Sequence, residues 1–225
     1  MLKKEQITII KSTTGWFDIN LQRIWEYKDL LFLFVKRDFT AIYKQTILGP
    51  LWHFLQPLIN SFIFAFAFSF IAKISTENIP PVLFYLSGIV PWAYFAECTV
   101  RTSNIFTLNA GIFGKVYFPR LIVPMAVVIS NLIRFCAQFI LFVVCYLYFA
   151  GTGNDSFHIN FYALLTPLLL FLIACMGMGI GLIVSSSAIV YKDIVNLTGF
   201  GVQLLMYLSP VIFPVSIWPE KFRWI

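Results

Sequence analysis

The sequence predicts an all-α, polytopic membrane bundle, and three observations predict it. Five apolar stretches, Leu48 to Ala72, Val82 to Val100, Leu121 to Ala150, Phe161 to Val190 and Ile194 to Trp218, are separated by short segments that hold most of the charge. A helix needs roughly 20 apolar residues to cross the hydrocarbon core, so each stretch qualifies as a span. The composition is 60% hydrophobic and 12% charged, against about 25% charged in an ordinary soluble domain, which excludes a soluble fold. The basic residues also fall on alternate sides of the spans.

Two regions follow in chain order. Residues 1–46 are charged throughout and show no pattern of a cleavable secretory signal, so the first span is expected to serve as the insertion signal. Within this region Leu21, Ile24, Trp25, Leu31, Phe32 and Val35 fall near one face of a helix, with Gln22, Arg23, Glu26, Asp29, Lys36 and Arg37 largely opposite. This predicts an amphipathic interface helix along the membrane surface, acting as a lipid anchor or docking a partner through its polar face. Residues 47–225 hold the spans.

Span one contains the alternating run Phe62 to Phe70, which in a soluble protein would argue for a strand. A lone strand cannot satisfy its backbone in lipid, so a helix is expected. On it Ser61, Ala65 and Ser69 form a stripe of small residues, with Phe62, Phe66 and Phe70 beside it. Span four repeats the device with Gly177, Gly181 and Ser185. Such stripes serve close helix packing or mark a helix that moves.

Span two ends with Glu97 and Arg101 at i, i+4, and Arg134 lies near the middle of span three. Ionisable residues inside a membrane are costly and are functional candidates. Arg134 is expected to meet Glu97, a cluster of carbonyls or an anionic substrate group, or else to snorkel to an interface.

Orientation follows from the cations. Lys3, Lys4, Lys11, Arg23, Lys28, Lys36, Arg37 and Lys44 precede span one; Arg101, Lys115 and Arg120 stand between spans two and three, and Lys192 between four and five. The opposite loops are nearly bare, so the N-terminus is expected in the cytoplasm. The net charge of +6 is explained by this topology and calls for no nucleic acid. Five spans then leave the far end outside, which suggests a sixth span beyond residue 225.

No catalytic or metal-binding group is expected. His53 and His158 lie at opposite predicted surfaces, and Cys98, Cys136, Cys145 and Cys175 sit inside apolar spans without ligand spacing. The segment Asn109 to Val116 fails as a nucleotide loop. Asn109 holds the first glycine position and Val116 the position of the magnesium-binding Ser or Thr. Aromatic residues make up 18% of the chain. Their faces stack on sugar rings, which suits a glycan passage, yet Phe is equally an ordinary lipid-facing residue.

Five local patterns resemble one family. They are Lys36-Arg37-Asp38 followed by Tyr43 to Gly49-Pro50-Leu51-Trp52 and Gln56-Pro57; Ser87-Gly88-Ile89-Val90-Pro91-Trp92; Lys115 to Pro119-Arg120; Tyr191-Lys192-Asp193-Ile194; and Ser209-Pro210-Val211-Ile212-Phe213-Pro214. In this order, from about residue 20 to the end, the chain resembles the permeases of polysaccharide-exporting type-2 ABC transporters, which serve O-antigen, capsule and teichoic acid.

The resemblance implies a six-span permease in a bacterial cytoplasmic membrane. It implies a second copy of the chain, two cytoplasmic ATP-binding subunits that hold ATP and Mg, and a glycan carried on an isoprenoid pyrophosphate lipid. Contacts to the ATP-binding subunit carry over to Arg23, Glu26 and Arg37, to Asn109, Phe113, Lys115 and Tyr117, and to Lys192 and Asp193. Phe62, Phe66, Phe70, Arg134, Phe213 and Trp218 are the expected path or gate. Lys44 and Lys115 would attract the pyrophosphate or serve topology alone. Rival readings are a type-2 exporter of drugs or another lipid, and a membrane transferase acting on lipid-linked sugars.

Overall fold

The computed structural model describes residues 21–43, 48–76, 79–151 and 161–214, which form helices and no strand. Two helices, α1 (Leu21–Glu26) and α2 (Lys28–Tyr43), precede the spans. Then come α3 (Trp52–Phe64), α4 (Pro81–Ser103), the short α5 (Ile105–Leu108) and α6 (Ala110–Phe113), α7 (Ile122–Gly151), α8 (Thr166–Ala188) and α9 (Asp193–Leu208). Four segments are long and apolar enough to cross a membrane: Trp52–Ile71, Pro81–Ser103, Ile122–Gly151 and Ala163–Ala188.

The fifth expected span is shorter than Ile194 to Trp218. At 16 residues, α9 is only about 24 Å long, less than the ~30 Å hydrocarbon core. It ends because Ser209, at φ −92° and ψ 159°, is extended, as the residue before a proline tends to be. The described residues just beyond it, 210–214, fold back on the bundle. Ile212 and Pro214 are buried, and Val211 lies against Gly88, where an added Cβ would meet it at 3.1 Å. Irregular backbone at this depth is thereby shielded by protein.

The phenylalanine run is helical, but its winding is π over Ala65–Ile71. The Ala72 N–H donates to the Ala67 carbonyl at 3.1 Å, and Lys73 leaves the helix in the left-handed region at φ 54°. One row of rings turns inward, with Phe64 and Phe68 packed against Tyr85. The other row, Phe62, Phe66 and Phe70, is exposed.

Helix α4 is the hub. It touches α3, α7, α8 and α9 and is the most buried of the spans. Its contact with α8 is built on absent side chains: a Cβ at Gly177 would meet Cys98 Cβ at 2.9 Å, and one at Gly181 would meet Thr102 Cβ at 2.5 Å. The Gly177, Gly181, Ser185 stripe is a packing surface, and Ser61 of α3 and Ala65 of the π segment are likewise buried. Small residues let backbones approach where no hydrophobic effect drives helices together.

The interface helix packs one stripe against the bundle. Ile24, Phe34 and Val35 are the buried positions, packed on Phe118, Ile122, Val123, Ala126 and Val127. Trp25 and Phe32 are instead 73% and 66% exposed. The segment is broken at Tyr27 and is apolar on two sides, so a single moment averages a protein-facing stripe with an outward one. Trp25, Phe32 and Phe39 recur every seventh residue on that outward side.

Candidate functional site

Two arrangements bring polar or aromatic residues together. The first is a cleft of about 240 Å³ between α3, α4 and α7. It forms because three helices each place polar groups on one face: His53, Gln56 and Asn60 on α3, Glu97 and Arg101 on α4, Asn131, Arg134 and Gln138 on α7. The α3 and α7 sets share the spacing i, i+3, i+7, and each would be stranded in lipid on its own.

Glu97 organises the cleft. Its Oε2 accepts from Arg101 Nε one helical turn away and from Arg134 Nη1 at 3.2 Å. Arg134 is 8% exposed, while the Glu97 side chain is 49% exposed. Arg134 begins roughly 18 Å along α7 from its Ile122 end, at ~1.5 Å per residue. Its side chain is therefore caught by a carboxylate inside the bundle. The neighbouring Asn131 donates its amide to Cys98 Sγ at 3.8 Å, a weak bond, and its Oδ1 finds no donor among the described residues.

The second arrangement lies at the end of the bundle that carries Ser103 and Ile122. Phe34, Phe118, Phe113 and Phe106 form a chain of rings with centroids 5.9, 5.5 and 5.8 Å apart in that order. Offset and edge-on contacts at such distances are favourable. The chain ties α2 to the α5–α6 segment, and the Phe106 N–H donates to Ser185 Oγ of α8 at 3.1 Å. Asn109, between α5 and α6, donates Nδ2 to the Ile105 carbonyl at 2.9 Å. Arg37 donates to Asp38 Oδ1 and covers the Phe34 ring at 4.7 Å.

Several residues singled out from the sequence converge here. Arg37, Asp38, Asn109, Arg101 and Val195 line one groove of about 370 Å³. Phe113 belongs to the ring chain, and Lys115 and Tyr117 are exposed just beyond it. Lys192 and Asp193 are exposed at the start of α9, Glu26 is exposed at the end of α1, and Arg23 falls within α1.

The expected gate residues do not converge. Phe62, Phe66 and Phe70 face outward, Arg134 lies in the cleft, and Phe213 sits edge-on to Phe68 at 6.1 Å. Lys44 and Trp218 lie outside the described residues, as does His158. The cleft's amides and His53 escaped the sequence reading, although the i, i+3, i+7 spacing on spans one and three was a signal for them. The ring chain had no such signal, because its members come from three separate segments.

Comparison with known proteins gives the arrangement its context. The "O-antigen export system permease protein RfbA" of Klebsiella pneumoniae is 27% identical over 197 residues, covering 88% of this chain and 73% of that protein. The protein of the same name from Myxococcus xanthus is 24% identical, covering 87% and 72%. The "Polysialic acid transport protein KpsM" of Escherichia coli is 24% identical, covering 83% and 70%. The family described as "ABC-2 type transporter" matches residues 29–225, nearly all of the sequence and every helix from α3 onward, so the chain belongs to the ABC-2 type transporter family.

Proposed function

We infer that this chain is the membrane permease of an ATP-driven exporter that moves a lipid-linked polysaccharide across a bacterial cytoplasmic membrane. Family membership carries the reading, together with relatives named for O-antigen export and polysialic acid transport. The chain is no enzyme; ATP and Mg belong to two copies of a cytoplasmic ATP-binding subunit, and a second copy of this chain completes the passage. The intrachain cleft of about 240 Å³ lies below the ~300–1,000 Å³ of sites for drug-sized ligands, too small for a polymer to thread. The outward row of Phe62 on α3 and Phe66 and Phe70 on the π segment then belongs to the path between copies, with Phe213 and Trp218 toward its outer end.

The positive-inside rule puts the ring chain in the cytoplasm. There it couples ATP-driven movement to the spans, since one rigid aromatic contact set joins the interface helix, the α5–α6 segment and α8. Arg23, Glu26, Arg37, Asn109, Lys115, Tyr117, Lys192 and Asp193 offer the polar contacts around it. Coupling needs contacts that differ between two states, which a partner closing on this face supplies. Lys44 and Lys115 draw the lipid pyrophosphate to the surface.

The test is export in cells lacking their own permease, supplied with the full-length gene and its ATP-binding subunit. Surface polysaccharide should return, and should vanish when residues 109–117 are replaced by a flexible linker. Normal insertion and subunit binding without any polysaccharide would overturn the reading in favour of another substrate.

A further inference from the structure

The cleft between α3, α4 and α7 gathers two guanidiniums around one carboxylate. Arg101 and Arg134 reach the same oxygen of Glu97, and no other Asp or Glu is among the described lining residues. Arg134 is buried beside Glu97, while the Arg101 side chain is 42% exposed and accessible to an incoming anion. The rest of the lining is rich in neutral hydrogen-bonding groups, Gln56, Asn60 and Gln138 among them.

We propose that this cleft binds an anionic phosphate presented by a lipid headgroup, with Arg101 and Arg134 as its ligands and Glu97 as the internal anion that it displaces. Guanidinium forks match phosphate oxygens well. The two partners of the ion pair are unequally held: Glu97 is half exposed and free to swing out, whereas Arg134 is buried and stays. The cleft's size fits a headgroup and excludes an oligosaccharide. Its position between the Ser103 end of α4 and the interior of α7 puts it within the leaflet on the cation-rich side. A membrane phospholipid and the diphosphate end of an isoprenoid-linked glycan present the same chemistry. The site rests on the orientation adopted above and is independent of the identity of the exported glycan.

Purified full-length permease, analysed by native mass spectrometry with inorganic phosphate, dioctanoyl phosphatidylglycerol and farnesyl diphosphate as separate probes, tests this. Retention of a phosphate-bearing probe is expected, falling about tenfold in Arg134→Gln and in Arg101→Gln as one charge-assisted contact set is lost. Glu97→Gln should bind more tightly than the wild type, because the internal competitor is gone; a merely structural ion pair would not produce that sign. Preference for farnesyl diphosphate assigns the site to the substrate lipid, preference for phosphatidylglycerol to the membrane, and equal retention of inorganic phosphate to the phosphate alone. If Arg134→Gln does not fold, the sign of the Glu97→Gln effect decides. No retention of any probe, or weaker retention in Glu97→Gln, overturns the proposal. Such a failure beside intact export in the complementation assay would leave the exporter reading standing.

Discussion

At the scale of single residues, the unequal burial of the ion pair decides what each partner is worth. Glu97→Leu leaves the buried Arg134 guanidinium without its carboxylate and should cost about 2 kcal/mol, reduced from the usual figure for a buried pair because Glu97 is half exposed. Arg134→Leu leaves Glu97 with Arg101 and with water, so it should cost less than half as much. Thermal unfolding in detergent measures both, and equal losses would contradict the geometry. Gly49 offers a separate backbone test. Its φ is +49° and an added Cβ would meet nothing within 4 Å. Gly49→Ala should thus cost about 1 kcal/mol from the left-handed conformation alone, and Gly49→Asn less. Glu97, Arg101 and Arg134 were visible in the sequence as ionisable groups inside spans. Glu97 was among the partners expected for Arg134, and the structure selects it over a carbonyl cluster; the i, i+4 rule alone sees only the Arg101 pair, because Glu97 and Arg134 stand on different helices.

At the scale of elements, the α4–α8 contact is the one most exposed to a single substitution. Gly181→Val drives side-chain atoms into Thr102 and should destabilise by about 1–3 kcal/mol, the range for overpacking. Gly179→Val, where a Cβ meets nothing within 4 Å, is the matched control and should be near neutral. Comparing the melting temperatures of the two variants separates close packing from glycine flexibility, which both would share. The ring chain makes a functional prediction at the same scale. Phe113→Ala removes the link between Phe106 and Phe118, and should lower export while leaving insertion unchanged. Surface polysaccharide and membrane-fraction abundance, measured side by side, check that separation. Apolar length located every span to within a few residues except the last. Which stripe of the interface helix meets protein was not legible in it, because Trp25 and Phe32 count as apolar whether they face protein or lipid.

For the whole molecule, topology is the prediction to settle. Single cysteines at Thr107 and Lys192, in a background without the four native ones, should react only with a reagent admitted to the cytoplasm. Cysteines at Thr76 and Phe161 should react from outside. Any inversion of that pattern would move the ring chain away from the ATP-binding subunits and defeat the coupling argument. By itself the sequence determined the class of fold, the order and approximate limits of the spans, the expected orientation and the family resemblance. These depend on local quantities, namely apolar length against bilayer thickness, the side on which cations fall, and short contiguous motifs. Only the tertiary structure decided that α4 is the hub, that Val211 packs back against Gly88, and that Glu97, of the partners expected for Arg134, is the one it meets, in a polar cleft shared by three helices. In lipid, apolar faces are equally content against protein or acyl chains. Which face turns inward is therefore chosen by side-chain fit between helices far apart in sequence, which no pattern along one helix records.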